Sequence, residues 1–278
     1  MKNPMEPRIG RVKYINCEPI YYGIEQGAIP AVCRIVDGTP AELNLMLREG
    51  HLDISVISAI EYARHPDRYL ILPDLAIASD GPVESVLFLS RVRPAELNGK
   101  VVLLNKDSLT SIFLVKILLK RIFGVSPQYL HAEAQSTSSL PKHIAGMLMI
   151  GDPALRARGQ LPYALDLGEA WKELTGLPFV FAIWAVRRDF YREHREETHR
   201  LHHALLCSKG YSIARLDEIC DAVHLRVGLG REACSTYLKE RLSFDLTPRH
   251  LDGMRHFFTM LEAEGELSPA PQLEFIEA

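Results

Sequence analysis

The sequence predicts a two-lobed α/β protein with a small-ligand cleft between the lobes. Strand-like and helix-like segments alternate along the first two thirds of the chain. The 278 residues are 47% hydrophobic and 24% charged, an ordinary globular composition that is sufficient for two separate cores. Polar residues recur where the strand-like segments end, which is where open α/β sheets bind ligands.

The first strand–helix–strand unit is well marked. RIGRVKYI at 8–15 alternates well enough to be a strand, and LDISVI at 52–57 is typical of a second one. Between them Thr39 is a good helix N-cap, and Glu42 completes a capping box with it. A helix over about 40–49 that joins two strands implies that the strands pair in parallel.

The later strands predict a second lobe that is inserted into the first. The further strand-like segments are VESVLFLS at 83–90, VVLL at 101–104, MLMI at 147–150 and FVFAIWAV at 179–186. We expect residues 1–91 and 186–278 to form lobe I, and residues 92–185 to form lobe II. Two crossovers between the lobes would then act as a hinge.

The composition indicates a cytoplasmic protein that binds neither nucleic acid nor membranes. The net charge is −3, so there is no basic surplus for a polyanionic partner. No apolar run reaches the roughly 18 residues of a membrane span, and the N-terminus lacks the apolar segment of a signal peptide. The five cysteines are widely spaced without a CxxC pair, which is typical of reduced thiols. The oligomeric state stays open.

Candidate ligand contacts are the small polar residues that end strands or begin the helices after them. They are Asn16, Ser58, Asn105, Ser108, Thr110, Ser111 and Asp152, together with Ser85 if its side chain faces the cleft. Each has a purely structural alternative as a helix cap or turn residue. Their recurrence at strand ends favours a shared ligand site.

The segment DSLTS at 107–111 is the most informative of these. It follows a strand and opens the apolar helix IFLVKILLKRIFG. The free backbone N–H groups at a helix start can bind a carboxylate or phosphate. Simple capping of the helix without any ligand is equally compatible with this pattern.

The common cofactor and metal motifs are missing. GxGxxG, GKS, GKT and HExxH do not occur, so nucleotide binding and metal-dependent hydrolysis have no support. His199 and His203 are four residues apart on a predicted helix, a spacing that suits a metal, but the dense charge around them indicates a solvated face. Cys17 has no evident histidine partner, which favours a packing residue over a nucleophile. We expect neither a cofactor nor a metal.

Three segments together resemble the chorismate dehydratase family of the futalosine pathway of menaquinone biosynthesis. They are RIGRVKYINCEPI at 8–20, MIGDPALRA at 149–157 and DLGEAWKELTGLPFVFAIWAVR at 166–187. The resemblance covers most of residues 8–190. It implies a periplasmic-binding-protein type 2 fold and a cytoplasmic hydro-lyase. The implied reaction removes water from chorismate, giving 3-[(1-carboxyvinyl)oxy]benzoate, with no cofactor or metal.

The resemblance also implies roles for the candidate residues. Chorismate is a dicarboxylate, and the hydroxyls and N–H groups of 108–111 would bind one carboxylate. The substrate's own enolpyruvyl carboxylate would take the ring proton, with Asn16 and Ser85 as the catalytic residues that position the groups. Asp152, otherwise a substrate-binding residue alongside Ser58, is the rival base. Two alternatives remain: the related 1,4-dihydroxy-6-naphthoate synthase of the same pathway, and a non-catalytic small-anion binding protein.

Overall fold

Two mixed β-sheets organise the molecule. The computed structural model describes residues 6–106, 108–132 and 136–277. Within these residues the first sheet has the order β2-β1-β3-β10-β4, formed by β1 (Arg8–Val12), β2 (Arg34–Gly38), β3 (Ile54–Ser58), β4 (Tyr69–Ser79) and β10 (Phe179–Arg187). The second has the order β7-β6-β8-β5-β9, formed by β5 (Val86–Ser90), β6 (Val101–Leu104), β7 (Gln128–His131), β8 (Ile144–Ile150) and β9 (Tyr163–Asp166). The predicted two-lobed α/β architecture is confirmed.

Helices cover both sheets and make up most of the chain after β10. In the first two thirds of the chain they are α1 (Glu18–Glu25), α2 (Pro40–Arg48), α3 (Ala59–Arg64), α4 (Leu109–Phe123), α5 (Gly151–Ala157) and α6 (Leu167–Thr175). After β10 they are α7 (Arg188–Glu193), α8 (Arg195–Ile213), α9 (Leu216–Val227), α10 (Arg231–Thr236) and α11 (Pro248–Ala263). Short 3-10 turns span Ile15–Cys17 and Pro94–Glu96, and a π-helical turn spans Tyr237–Arg241. No helix in the described ranges is long and apolar enough to cross a bilayer.

Local sequence signals explain where the key helices begin. Thr39 and Glu42 form the predicted capping box at the start of α2. Ser58 caps α3 by accepting from the backbone N–H of Glu61, and Ser108 caps α4 in the same way from Ser111. Each cap satisfies an N–H group that has no partner inside its own helix. These starts therefore lie directly after the strands that precede them.

The lobe boundaries differ from those expected. Strand β5 pairs with β8 and β9 in the second sheet, and β10 pairs with β3 and β4 in the first. The crossovers therefore lie before Val86 and between Asp166 and Phe179, earlier than the expected positions near 92 and 185. The apolar pattern of such strands identifies them as buried but does not reveal which sheet they join.

The strand directions bring the candidate residues to one place. Strands β1 and β3 are parallel. Asn16 follows β1 and Ser58 ends β3, so both residues lie at the same edge of the first sheet. Strand β5 is antiparallel to β8, and Val86 lies opposite Ile150. Ser85 therefore precedes its strand but lies at the edge where β8 ends. The two sheet edges face each other across a cleft.

Candidate functional site

A cleft lies between the two sheets. The first sheet and its loops supply apolar walls from Val56, Ile77 and Phe181, and the second supplies Val86 and Ile150. Five of the predicted site residues line this cleft: Asn16, Ser58, Ser85, Ser108 and Ser111. Ser85, whose position relative to the cleft the sequence left open, is one of these lining residues.

The structure does not place two other predicted residues on the cleft wall. Thr110 is fully buried, and its Oγ1 accepts a hydrogen bond from the backbone N–H of Ile60 at 3.2 Å. Asp152 is also buried, and its Oδ1 accepts from the backbone N–H of Ile15 at 3.1 Å. Both bonds tie the second lobe to the first. Burial raises the pKa of the Asp152 carboxyl, against the opposing effect of the Ile15 N–H.

Two further residues need separate mention. Asn105 is buried and lies outside the lining of the cleft. Asp107, the first residue of the predicted anion-binding segment, lies outside the described residues.

Ser58 can offer a proton to the cleft. Its Oγ accepts from the side-chain amide of Asn44 at 3.1 Å and from the backbone N–H of Glu61 at 3.2 Å. Because a hydroxyl oxygen has two lone pairs and one proton, both acceptor positions are then filled. The remaining Ser58 proton is available as a donor on the cleft wall.

The start of α4 forms a second polar region of the wall. The hydroxyls of Ser108 and Ser111 lie 2.8 Å apart, and both residues line the cleft. The backbone N–H groups of Leu109 and Thr110 find no acceptor in the part of the chain that the structure describes. Two such N–H groups at a helix start suit an oxyanion.

A residue that the sequence did not indicate completes the site. Tyr237 begins the π-helical turn and is buried, and its hydroxyl donates to Ser85 Oγ at 2.8 Å. The side chain of Asn16 lies near the same hydroxyl. Asn16 Oδ1 is buried and has no donor within the described residues. Tyr237 lies in the charged C-terminal third, where no motif or spacing marks it.

The turn before Ser85 is held in an unusual conformation. Glu84 has φ +59°, which is rare for a residue with a side chain. The Asp166 carboxylate accepts from the backbone N–H groups of Val83 and Glu84, the latter at 2.7 Å. Arg241 pairs with the Glu84 carboxylate at 2.8 Å. Such over-determined strain is common beside functional groups, and here it fixes the position of Ser85.

The cleft wall carries no formally charged side chain among the described residues. Its positive potential must come from backbone dipoles instead. Asn16 and Cys17 precede α1, Pro40 begins α2, and Ser108 caps α4, and all of them line the cleft. A helix N-terminus carries roughly half a positive charge. The cleft therefore suits a small anion that is held by dipoles and hydroxyls.

The thiol in the cleft is not activated. Cys17 lines the cleft but is almost fully buried, and burial raises the pKa of its thiol well above the ordinary value. A thiolate, which is the nucleophilic form, is thus disfavoured. All five cysteines are free thiols.

The histidines on α8 have local partners. The His203 ring contacts Cys207 on the same helix, and the His199 ring lies 3.5 Å from the Tyr191 hydroxyl. Across residues 6–106, 108–132 and 136–277, no three His, Cys, Asp or Glu side chains are grouped as metal ligands.

The fold defines the chain as a periplasmic-binding-protein-like α/β protein. A protein from Archaeoglobus fulgidus superposes with a TM-score of 0.77 at 21% identity, over 94% of this chain and 98% of that one. The alkanesulfonate-binding protein of Xanthomonas axonopodis pv. citri, solved with MOPS bound, superposes with a TM-score of 0.70 at 15% identity, over 99% and 98%. At these identities the likeness concerns the fold alone.

Comparison of the sequence with known proteins assigns the chain to one family within this fold. A family model for menaquinone biosynthesis matches residues 7–263, and the chain belongs to that family. A chorismate dehydratase of Thermus thermophilus is 32% identical over 238 residues, which cover 80% of this chain and 83% of that protein. A chorismate dehydratase of Campylobacter jejuni is 31% identical over 178 residues, covering 62% and 64%. The resemblance found in the sequence is confirmed.

Proposed function

We propose that this protein is a chorismate dehydratase, which converts chorismate to 3-[(1-carboxyvinyl)oxy]benzoate and water in menaquinone biosynthesis. The family match and the two relatives that bear this name support the reaction. The observation that carries the proposal in the structure is the cleft itself. It combines an uncharged wall and several helix starts with Asn16 and with Ser85, which a tyrosine hydroxyl holds in place.

The start of α4 binds one carboxylate of the substrate. The N–H groups of Leu109 and Thr110 and the hydroxyls of Ser108 and Ser111 supply the donors. Hydrogen bonds to an ionised acceptor are about twice as strong as neutral ones. Thr110 contributes its backbone N–H, since its side-chain oxygen already accepts from the backbone N–H of Ile60.

The proton-abstracting base is the substrate's own enolpyruvyl carboxylate. The described residues on the cleft wall include no carboxylate and no imidazole. Asp152 lies behind the wall with Oδ1 engaged by Ile15. An intramolecular base held in the right geometry has a very high effective concentration, worth about 7–11 kcal/mol of the barrier in favourable cases.

The bond changes balance without an added reagent. The ring C–H proton moves to the enolpyruvyl carboxylate. The bond between the ring carbon and its hydroxyl oxygen breaks, and its electron pair stays on that leaving oxygen. The carboxylic acid then returns the proton to that oxygen, so that water leaves and the ring becomes aromatic. Ser58, Ser85 and Asn16 hold the substrate in the geometry that this transfer requires.

Incubation of the purified protein with chorismate, followed by mass spectrometry, tests the proposal. Formation of 3-[(1-carboxyvinyl)oxy]benzoate is the expected result. The Ser85→Ala variant is the matched control and should form this product more slowly. Chorismate recovered unchanged after long incubation would support a small-anion binding protein instead. Turnover of the precursor of 1,4-dihydroxy-6-naphthoate, with chorismate left intact, would support the related synthase.

A further inference from the structure

Three parts of the chain meet near the Tyr237 hydroxyl at the cleft. Asn16 follows the first strand of lobe I, Ser85 precedes a strand of lobe II, and Tyr237 begins the π-helical turn after α10. The Tyr237 side chain is almost completely buried, and its hydroxyl donates to Ser85. π-helical turns often mark functional positions.

The single phenol proton sets the direction of the bond between Tyr237 and Ser85. Tyr237 donates to Ser85 Oγ at 2.8 Å. Burial raises the pKa of Tyr237 well above its ordinary value, so the phenol keeps its proton at any physiological pH. With its oxygen accepting from Tyr237, Ser85 has its own proton left to give. No described residue accepts that proton, and Ser85 lines the cleft.

Asn16 supplies an acceptor in the same cleft. Its Oδ1 is buried and has no donor among the described residues, which is an unfavourable state for a buried acceptor. Asn16 and Ser85 both line the cleft. A ligand hydroxyl between the two side chains would supply the missing donor.

We propose that Tyr237 is a positioning residue that makes Ser85 a hydrogen-bond donor toward one hydroxyl group of the ligand, which in turn donates to Asn16 Oδ1. A hydroxyl can accept from Ser85 and donate to Asn16 at the same time. If the proposed function holds, on which this step rests, this hydroxyl is the one that leaves as water. Tyr237 keeps its own proton throughout and acts on the reaction only through Ser85.

Loss of the phenol oxygen would remove the directional control. In Tyr237→Phe, Ser85 no longer receives a proton and is free to turn its own proton away from the cleft. We expect kcat to fall about 100-fold, the size of effect that misplaced reacting groups produce, while KM changes little because the carboxylate contacts at α4 remain.

The kinetic test compares three variants with the wild type. Tyr237→Phe and Ser85→Ala should each lower kcat, and the double variant should match Ser85→Ala, since Tyr237 acts through Ser85. Tyr62→Phe is the control: it removes a buried hydroxyl that bonds the backbone of Gln272, away from the cleft, and should leave kcat unchanged. Wild-type kcat in Tyr237→Phe, or losses in the double variant that multiply, would overturn the proposal.

A measurement without turnover separates this proposal from the proposed function. In protein with ζ-¹³C-labelled tyrosine in mixed H₂O and D₂O, the slowly exchanging Tyr237 hydroxyl should give a split resonance that disappears in Tyr237→Phe. In Ser85→Ala the phenol loses its acceptor, and the splitting should collapse. Splitting that Ser85→Ala leaves unchanged would overturn the proposal even if chorismate is consumed. The expected pattern in a protein that leaves chorismate intact would instead reject only the proposed reaction.

Discussion

Substitution of Thr110 by valine should separate stability from substrate binding at the start of α4. Valine has nearly the same shape but cannot accept the 3.2 Å hydrogen bond from the backbone N–H of Ile60. Thr110 is fully buried, so water cannot replace the lost acceptor. A buried donor left unpaired costs about 1–3 kcal/mol. The free energy of unfolding should fall by that amount, and KM for chorismate should stay within a small factor of the wild-type value.

Ser111→Ala is the matched variant one residue further along. Ser111 lines the cleft, and its hydroxyl bonds only Ser108 among the described residues. Loss of a hydrogen bond to an ionised carboxylate costs about 1.5–3 kcal/mol of binding, roughly a tenfold to hundredfold rise in KM. Urea unfolding and steady-state kinetics on both proteins measure the two effects. A large rise in KM for Thr110→Val without loss of stability would refute this division of roles, as would an unchanged KM for Ser111→Ala.

Two further substitutions test the supports of the site and the pH dependence of folding. In Asp166→Asn, either orientation of the new amide places its NH₂ against backbone N–H groups, including the N–H of Glu84. The free energy of unfolding should fall by about 2–4 kcal/mol, and kcat should fall with it. Unchanged urea midpoint and kcat would contradict this. His250 accepts from the Thr247 N–H in a capping box, and burial lowers the pKa of its ring below the ordinary 6.5. As the pH falls, His250 is therefore protonated in the unfolded chain before it is protonated in the folded protein. The stability that is present above about pH 6.5 is lost as the pH falls through the lowered pKa of the folded state. His250→Gln keeps the acceptor without titrating, so its unfolding free energy should change less between pH 7 and 5, and an equally steep change would reject the explanation.

Local features of this protein could be predicted from its sequence because their causes are local. The capping box of Thr39 and Glu42 acts within one helical turn. The caps at Ser58 and Ser108 likewise depend on an N–H group three residues away. Strand ends identified by the same signals placed five candidate residues on one cleft.

The features that the sequence did not reveal depend on distant partners. Tyr237 bonds Ser85 across 152 residues. The Asp152 side chain reaches back 137 residues to the backbone of Ile15. A polar residue at a strand end can face the cleft or tie the lobes together behind it, and only the three-dimensional packing decides between these outcomes. For the same reason the observed lobe boundaries differ from the expected ones, since the sheet that a buried strand joins depends on its neighbours.

Turnover of chorismate by the wild type beside Asp152→Asn tests the central claim most directly. Asparagine keeps the side-chain oxygen that accepts from the Ile15 N–H but cannot serve as a base. If the substrate's own carboxylate takes the ring proton, both proteins should form 3-[(1-carboxyvinyl)oxy]benzoate with similar kcat. A wild-type protein that leaves chorismate unchanged would contradict the proposed reaction. An active wild type with an inactive but folded Asp152→Asn variant would make Asp152 the base and contradict the substrate-assisted mechanism.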